Sequence, residues 1–209
     1  MKKFFKSLFN SEDEKEAVVV VSGLPRSGTS MLMSMLDAGG IPPITDNIRT
    51  ADEDNPKGYY EYERVKALDK GDTAWVANAQ GKSVKVISAL LKHLPPEYQY
   101  KIIYVRRNMS EILASQHKML VRRSEDPDKV DDAQMAALFE KHVSQVESWL
   151  REQPNMQVLY VHYSDILADP EKEAQRMNDF LGGEMQVERM AEAVDPELYR
   201  NRQDTQAAS

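Results

Sequence analysis

The chain has 209 residues, contains no cysteine and carries a formal net charge of -7 at pH 7. Its length fits one ordinary α/β domain, and its acidic balance argues against a general nucleic-acid binder, which requires a broad basic surface. Because cysteine is absent, disulfides, cysteine-ligated metals and thiol catalysis are excluded.

The first sixteen residues are predicted to form a charged and amphipathic lead-in to a single domain over residues 17–195, with a polar tail over 196–209. In residues 1–10, MKKFFKSLFN, lysines alternate with apolar side chains. This segment is too short for a secretory signal, and a loosely docked terminus is favoured over a weak contact with a membrane or partner. No apolar run approaches membrane-spanning length, and a cytoplasmic protein is expected.

A strand, a glycine-bounded turn and a helix are predicted at the start of the domain. Residues 18–21 form a continuous β-branched run, typical of a strand buried in a parallel sheet. Gly23 and Gly28 flank the turn, an arrangement that directs backbone N–H groups and a helix N-terminus at a phosphate. Thr29 stands where a Walker motif has its lysine. With Arg26 inside the turn, the loop therefore suits a shorter anionic group than a triphosphate.

A long polar connection follows the first helix. Residues 45–58 are rich in acidic and turn-forming side chains, and a connection of this length is usually functional or disordered. It is expected at the edge where open α/β sheets bind ligands. Asp46 and Glu53 lie within it and Glu61 shortly after it; each is a candidate functional carboxylate and alternatively a helix cap or a solvated charge.

Strands alternate with helices through the rest of the domain. Further strands are predicted over residues 82–88, 100–105 and 157–161, and helices over residues 63–68, 89–94, 109–119, 131–150, 163–167 and 171–181. This alternation predicts an α/β fold of three layers, in which a parallel sheet of about four or five strands is flanked by helices on both faces, as in P-loop proteins.

The strand predicted over residues 100–105 is followed by two arginines rather than by a carboxylate. A P-loop nucleoside triphosphatase usually holds Mg²⁺ with a carboxylate at a strand end, whereas arginines bind an anion directly, so no metal is expected. Arg107 lies eight residues before Ser115, across the start of the next helix. In the alternative interpretation, Arg107 is an ordinary surface residue and Ser115 a packing residue. Together with a glycine loop that lacks the lysine, the two residues instead favour the binding of one phosphate from two sides.

Three segments, in chain order, resemble motifs of sulfotransferases that use 3′-phosphoadenosine 5′-phosphosulfate (PAPS). GLPRSGTS resembles their 5′-phosphosulfate loop, YVRRNMSEILAS resembles their 3′-phosphate motif, and VHYSDILADPEKEAQRMNDFLG is similar to a late strand–helix segment. The opening also resembles tyrosylprotein sulfotransferases, and NPKGYYE resembles a recurrent motif of bacterial members. The resemblance implies sulfuryl transfer from PAPS, as co-substrate, to a hydroxyl or amine acceptor.

The resemblance also implies roles for particular residues. Arg107 and Ser115 would hold the 3′-phosphate, and the 5′-phosphosulfate would be held by residues of the loop, namely Gly23, Pro25, Arg26, Ser27, Gly28, Thr29 and Ser30. Lys85 resembles a lysine that members use near the transferred group, although a solvent-facing strand lysine is an equal alternative. Relatives use a histidine or a glutamate as base, and a carboxylate, Asp46 or Glu61, is favoured here.

Two departures from the family pattern leave other interpretations open. The chain is shorter than most members, and the glycine- and lysine-rich segment that closes over the nucleotide in cytosolic members is absent, with Arg189, Arg200 or Arg202 as candidate replacements. A P-loop kinase or nucleotide-binding protein and a non-catalytic scaffold are the alternatives to an active sulfotransferase. The acceptor is not readable from the sequence.

Overall fold

The computed structural model describes residues 16–46, 48, 58–122, 124–126 and 131–195. The predicted amphipathic segment over residues 1–10, the polar tail over 196–209 and the candidate base Glu53 lie outside the described residues. No helix in the described part of the chain is long and apolar enough to cross a membrane.

Parallel strands form one sheet, in the order β2-β1-β3-β4. The strands are β1 (Val18–Gly23), β2 (Ser83–Lys85), β3 (Tyr100–Arg106) and β4 (Met156–His162). β1 pairs with β2 on one side and with β3 on the other, and all of its residues are buried. The run of valines was predicted to be this buried strand, and the parallel α/β sheet is confirmed.

Helices cover both faces of the sheet. The α-helices are α1 (Thr29–Ala38), α2 (Met109–Arg122), α3 (Asp132–Arg151), α4 (Tyr163–Ala168), α5 (Pro170–Leu181) and α6 (Val187–Glu192), and the 3-10 helices are Glu63–Lys70, Ala74–Ala79 and Ser88–His93. The apolar side chains of α1, α4, α5 and α6 share one core cluster, and those of the 3-10 helices and the end of α3 share the other. The three predicted layers are therefore present.

Local structure differs from the sequence-based expectation around β2. This edge strand is three residues long instead of the seven predicted, because its ladder to β1 ends at Lys85 and the chain then enters the 3-10 helix Ser88–His93. The helices predicted over 63–68 and 89–94 are 3-10 helices, and Ala74–Ala79 was not predicted at all. These pieces are too short for an apolar period to identify their type.

The carboxyl ends of β1, β2 and β3 meet at one edge of the sheet because the strands are parallel. The glycine-bounded turn after β1, Lys85 at the end of β2 and Arg107 after β3 therefore lie along the same edge, where open α/β sheets bind ligands.

Candidate functional site

The turn after β1 depends on two glycines that no larger residue can replace without rearrangement. A Cβ atom at Gly23 would lie 2.6 Å from Ser27 Oγ and 2.7 Å from the carbonyl oxygen of Val105. Gly28 has a φ of 107°, in the left-handed region that favours glycine, and a Cβ there would lie 2.5 Å from the ring of Tyr163. Gly28 leads into α1, and the N–H groups in the first turn of a helix point out of its N-terminus, here toward the turn.

Arg26 joins this turn to the helix after β3. Its backbone is also left-handed, with a φ of 69°. Its Nε donates a hydrogen bond to Ser115 Oγ at 3.0 Å, although 89 positions separate the two residues. Ser27, by contrast, points into the turn, because its hydroxyl donates to the carbonyl oxygen of Leu24 at 2.7 Å. The side chain of Ser27 thus shapes the turn, while that of Arg26 reaches Ser115 on α2.

The arginine predicted to bind a 3′-phosphate lies beside the same turn. Arg107 Nη1 donates to the carbonyl oxygen of Arg26 at 3.1 Å, and its Nε lies 2.9 Å from Glu111 Oε2. The guanidinium carbon is 4.2 Å from the centre of the Tyr163 ring, a cation–π contact. Burial raises the pKa of the Tyr163 hydroxyl. The fold therefore brings together Arg107, Ser115 and the glycine-bounded turn.

Lys85 turns inward rather than toward solvent, and 10% of its side chain is exposed. Its Nζ donates to the carbonyl oxygen of Tyr59, lies 3.5 Å from Ser30 Oγ and 3.7 Å from Glu61 Oε1. Since Ser30 belongs to the first turn of α1, the ammonium group lies at the end of α1 next to the glycine-bounded turn.

The two candidate carboxylates have different surroundings. Glu61 lies 3.7 Å from Lys85 and 3.7 Å from Lys66, with 19% of its side chain exposed. Asp46 instead accepts hydrogen bonds from the backbone N–H of Glu63 at 2.6 Å and of Ile48 at 3.1 Å. The bond from Glu63 is the main cause that lowers the pKa of Asp46. Asp46 therefore caps the 3-10 helix that begins at Glu63, which is the alternative that the sequence allowed.

The family model of the sulfotransferase domain matches residues 16–207 of this chain. The chain belongs to the sulfotransferase family. A comparison with curated protein sequences gives no match. The family match spans most of the chain and confirms the enzyme class predicted from the motifs.

Solved structures of other sulfotransferases share this fold. A sulfotransferase domain from the curacin biosynthetic pathway is 14% identical, with a TM-score of 0.53 over 88% of this chain and 89% of its own. The mouse sulfotransferase SULT7A1, complexed with PAP, is 19% identical, with a TM-score of 0.53 over 90% of this chain and 66% of its own. Both likenesses concern the fold.

Sequence reasoning missed two side chains in the site of this sulfotransferase. Glu111 contacts Arg107 one helical turn away, a pairing that the (i, i+4) spacing of opposite charges signals. Tyr163, at the start of α4, packs between Gly28 and Arg107. It lies inside the third motif, which carried no site residue in the sequence analysis.

The spacing of residues in the sequence did not predict the surroundings of the histidines or of Arg189. His142 Nε2 lies 2.8 Å from Ser88 Oγ, a pairing that no sequence spacing indicated, whereas His117 and His162 are exposed. Arg189 belongs to α6, which packs against the Gly39 end of α1. The glycine-bounded turn is at the other end of α1, so Arg189 does not lie beside that turn. No cluster of side chains in the described ranges could hold a metal ion.

Proposed function

We propose that this sulfotransferase transfers the sulfuryl group of PAPS to a hydroxyl or amine acceptor. The observation that carries the proposal is the meeting of two anion-binding motifs, in which Arg26 bonds Ser115 at 3.0 Å and Arg107 bonds the Arg26 carbonyl at 3.1 Å. A donor with a phosphate at each end of its ribose needs two such anion sites side by side. The complex of mouse SULT7A1 with PAP supports this assignment.

The two ends of the donor fall on different parts of the site. The 5′-phosphosulfate lies against the turn from Gly23 to Gly28 and the first-turn N–H groups of α1, where Thr29 and Ser30 add hydroxyl donors. Pro25 and Ser27 shape the turn. The 3′-phosphate lies against Arg107 and Ser115, because a guanidinium group and a hydroxyl bind phosphate oxygens by charge-assisted hydrogen bonds.

The chemical step follows from the residues near the sulfuryl end. The acceptor oxygen or nitrogen attacks sulfur, a new bond to sulfur forms, and the bond from sulfur to the 5′-phosphate oxygen breaks, which releases adenosine 3′,5′-bisphosphate. Glu61 takes the acceptor proton. Lys85 and Arg26 stabilise the negative charge that develops on the bridging and sulfuryl oxygens.

Arg107→Ala is expected to weaken adenosine 3′,5′-bisphosphate binding by several-fold to about a hundredfold, the effect of losing a charge-assisted contact. Calorimetry with the variant and the wild type measures it. Binding of adenosine 5′-phosphosulfate, which lacks the 3′-phosphate, should change little.

Arg106→Ala is the matched control, because this neighbouring arginine is held by Glu147 through contacts of 2.8 and 2.7 Å. An equal loss of both ligands in Arg107→Ala would contradict the assignment. Preferential binding of ATP with Mg²⁺ would favour the kinase alternative. Turnover of labelled PAPS with added acceptors separates an active enzyme from a non-catalytic scaffold.

Sulfuryl transfer is expected to survive EDTA, because the donor has no triphosphate for a metal to bridge and β3 ends in arginines. Product formation with and without the chelator tests this, and a strict Mg²⁺ requirement would contradict it. The single domain over residues 17–195 and the cytoplasmic location stay predictions.

A further inference from the structure

Glu111, in the first turn of α2, forms a buried ion pair with Arg107, which precedes the helix. Arg107 Nε lies 2.9 Å from Glu111 Oε2, and the two side chains are 7% and 10% exposed. A buried arginine is costly unless a counter-charge and hydrogen bonds compensate it. The carboxylate of Glu111 supplies such a counter-charge within one helical turn.

The guanidinium group of Arg107 is fixed from three directions. Glu111 holds its Nε edge, the carbonyl oxygen of Arg26 accepts from Nη1 at 3.1 Å, and the Tyr163 ring lies 4.2 Å from its carbon atom. An arginine binds phosphate oxygens with N–H groups that all lie in the guanidinium plane, so recognition depends on how that plane is oriented. The contact with Glu111 therefore restricts the orientation of the guanidinium plane.

We propose that Glu111 is a positioning residue that orients Arg107 and thereby makes the site selective for nucleotides with a 3′-phosphate. The inference rests on the proposed function, in which Arg107 binds that phosphate. Glu111 acts through Arg107 and contributes to the preference for a 3′-phosphorylated donor, while the binding of the 5′ end is left to the glycine-bounded turn.

A second buried glutamate also forms an ion pair with an arginine on its own helix, but away from the candidate site. On α5, Glu173 Oε2 lies 2.5 Å from Arg176 Nη1, and the Glu173 side chain is 4% exposed. Arg176 also donates to the carbonyl oxygen of Tyr160 at 3.4 Å, in β4. The arginine of this pair contacts a strand, whereas Arg107 contacts the anion-binding turn. Glu173→Gln is therefore a matched control for Glu111→Gln.

The test compares adenosine 3′,5′-bisphosphate with adenosine 5′-monophosphate, which differs only in lacking the 3′-phosphate. The ratio of their dissociation constants is measured by calorimetry for the full chain. We expect Glu111→Gln to lower the preference for the bisphosphate about tenfold and to leave monophosphate affinity unchanged, because a charge-assisted contact loses its geometry. Glu111→Asp keeps the charge but shortens the side chain, and should lower the preference about threefold.

Glu173→Gln should keep the wild-type ratio, even if it lowers the melting temperature. A wild-type ratio in both Glu111 variants would overturn the inference, and so would an equal loss of both nucleotides, which indicates a structural role alone. If Glu111→Gln does not fold, the ratio for Glu111→Asp decides in the same way. The proposed function fails separately, if the wild-type protein itself shows no preference for the bisphosphate.

Discussion

Glu61→Gln is expected to lower kcat by about a hundredfold or more while donor affinity stays intact, because removal of a general base acts on the chemical step. Glu61 lies 3.7 Å from Lys85, which places a carboxylate beside the cation proposed for the sulfuryl end. The amide of glutamine keeps the shape of the side chain but cannot accept the acceptor proton. Steady-state kinetics with PAPS and a responsive acceptor, together with calorimetry of adenosine 3′,5′-bisphosphate, measure both quantities.

Glu63→Gln is the matched control, because Glu63 is a nearby carboxylate that pairs with Lys66 at 2.6 Å. Its kcat should stay near that of the wild type. Asp46→Asn removes the carboxylate charge but keeps a side-chain oxygen that can accept from the N–H of Glu63, so kcat and stability should both stay near those of the wild type. A large loss of kcat in Asp46→Asn, with Glu61→Gln fully active, would reverse the assignment. Full activity in both would direct attention to His117 or His162.

Lys85→Met is expected to lower kcat by about a hundredfold to a thousandfold, the range for loss of one donor to a developing oxyanion. The ammonium group lies 3.5 Å from Ser30 Oγ in the first turn of α1, and 10% of the side chain is exposed. Methionine keeps the apolar stem and removes the charge. Single-turnover kinetics with bound PAPS isolate the chemical step.

Lys101→Met provides the comparison for Lys85→Met. Lys101 is also a strand lysine whose Nζ donates to a backbone carbonyl, that of Leu181, at 3.1 Å. The control variant should keep its kcat, although its melting temperature falls. A normal rate of the chemical step in Lys85→Met would remove this lysine from charge stabilisation and leave Arg26 as the proposed cation on the sulfuryl group.

Sequence by itself determined the parallel α/β class, the central strand and the residues of the proposed donor end. The valine run before Gly23 is apolar on both faces, which only a central parallel strand can bury, and β1 is that strand. The glycine-bounded turn proposed to bind the 5′ end is a local structure, since Gly28 and the start of α1 are adjacent in the chain. Arg107 and Ser115 lie two turns apart on one segment, so their proximity also follows from local geometry.

Tertiary structure alone decided which residues lie around Lys85, at the proposed sulfuryl end. Lys85 was equally a solvent-facing lysine until the fold placed it against Ser30 and the carbonyl oxygen of Tyr59. The sequence did not distinguish Asp46 from Glu61 as the base; in the fold, Asp46 accepts from the backbone N–H of Glu63, and Glu61 lies beside Lys85. These contacts join residues that are 17 to 55 positions apart. Such distances carry no periodic signal, because the packing of the whole sheet and its connections sets them.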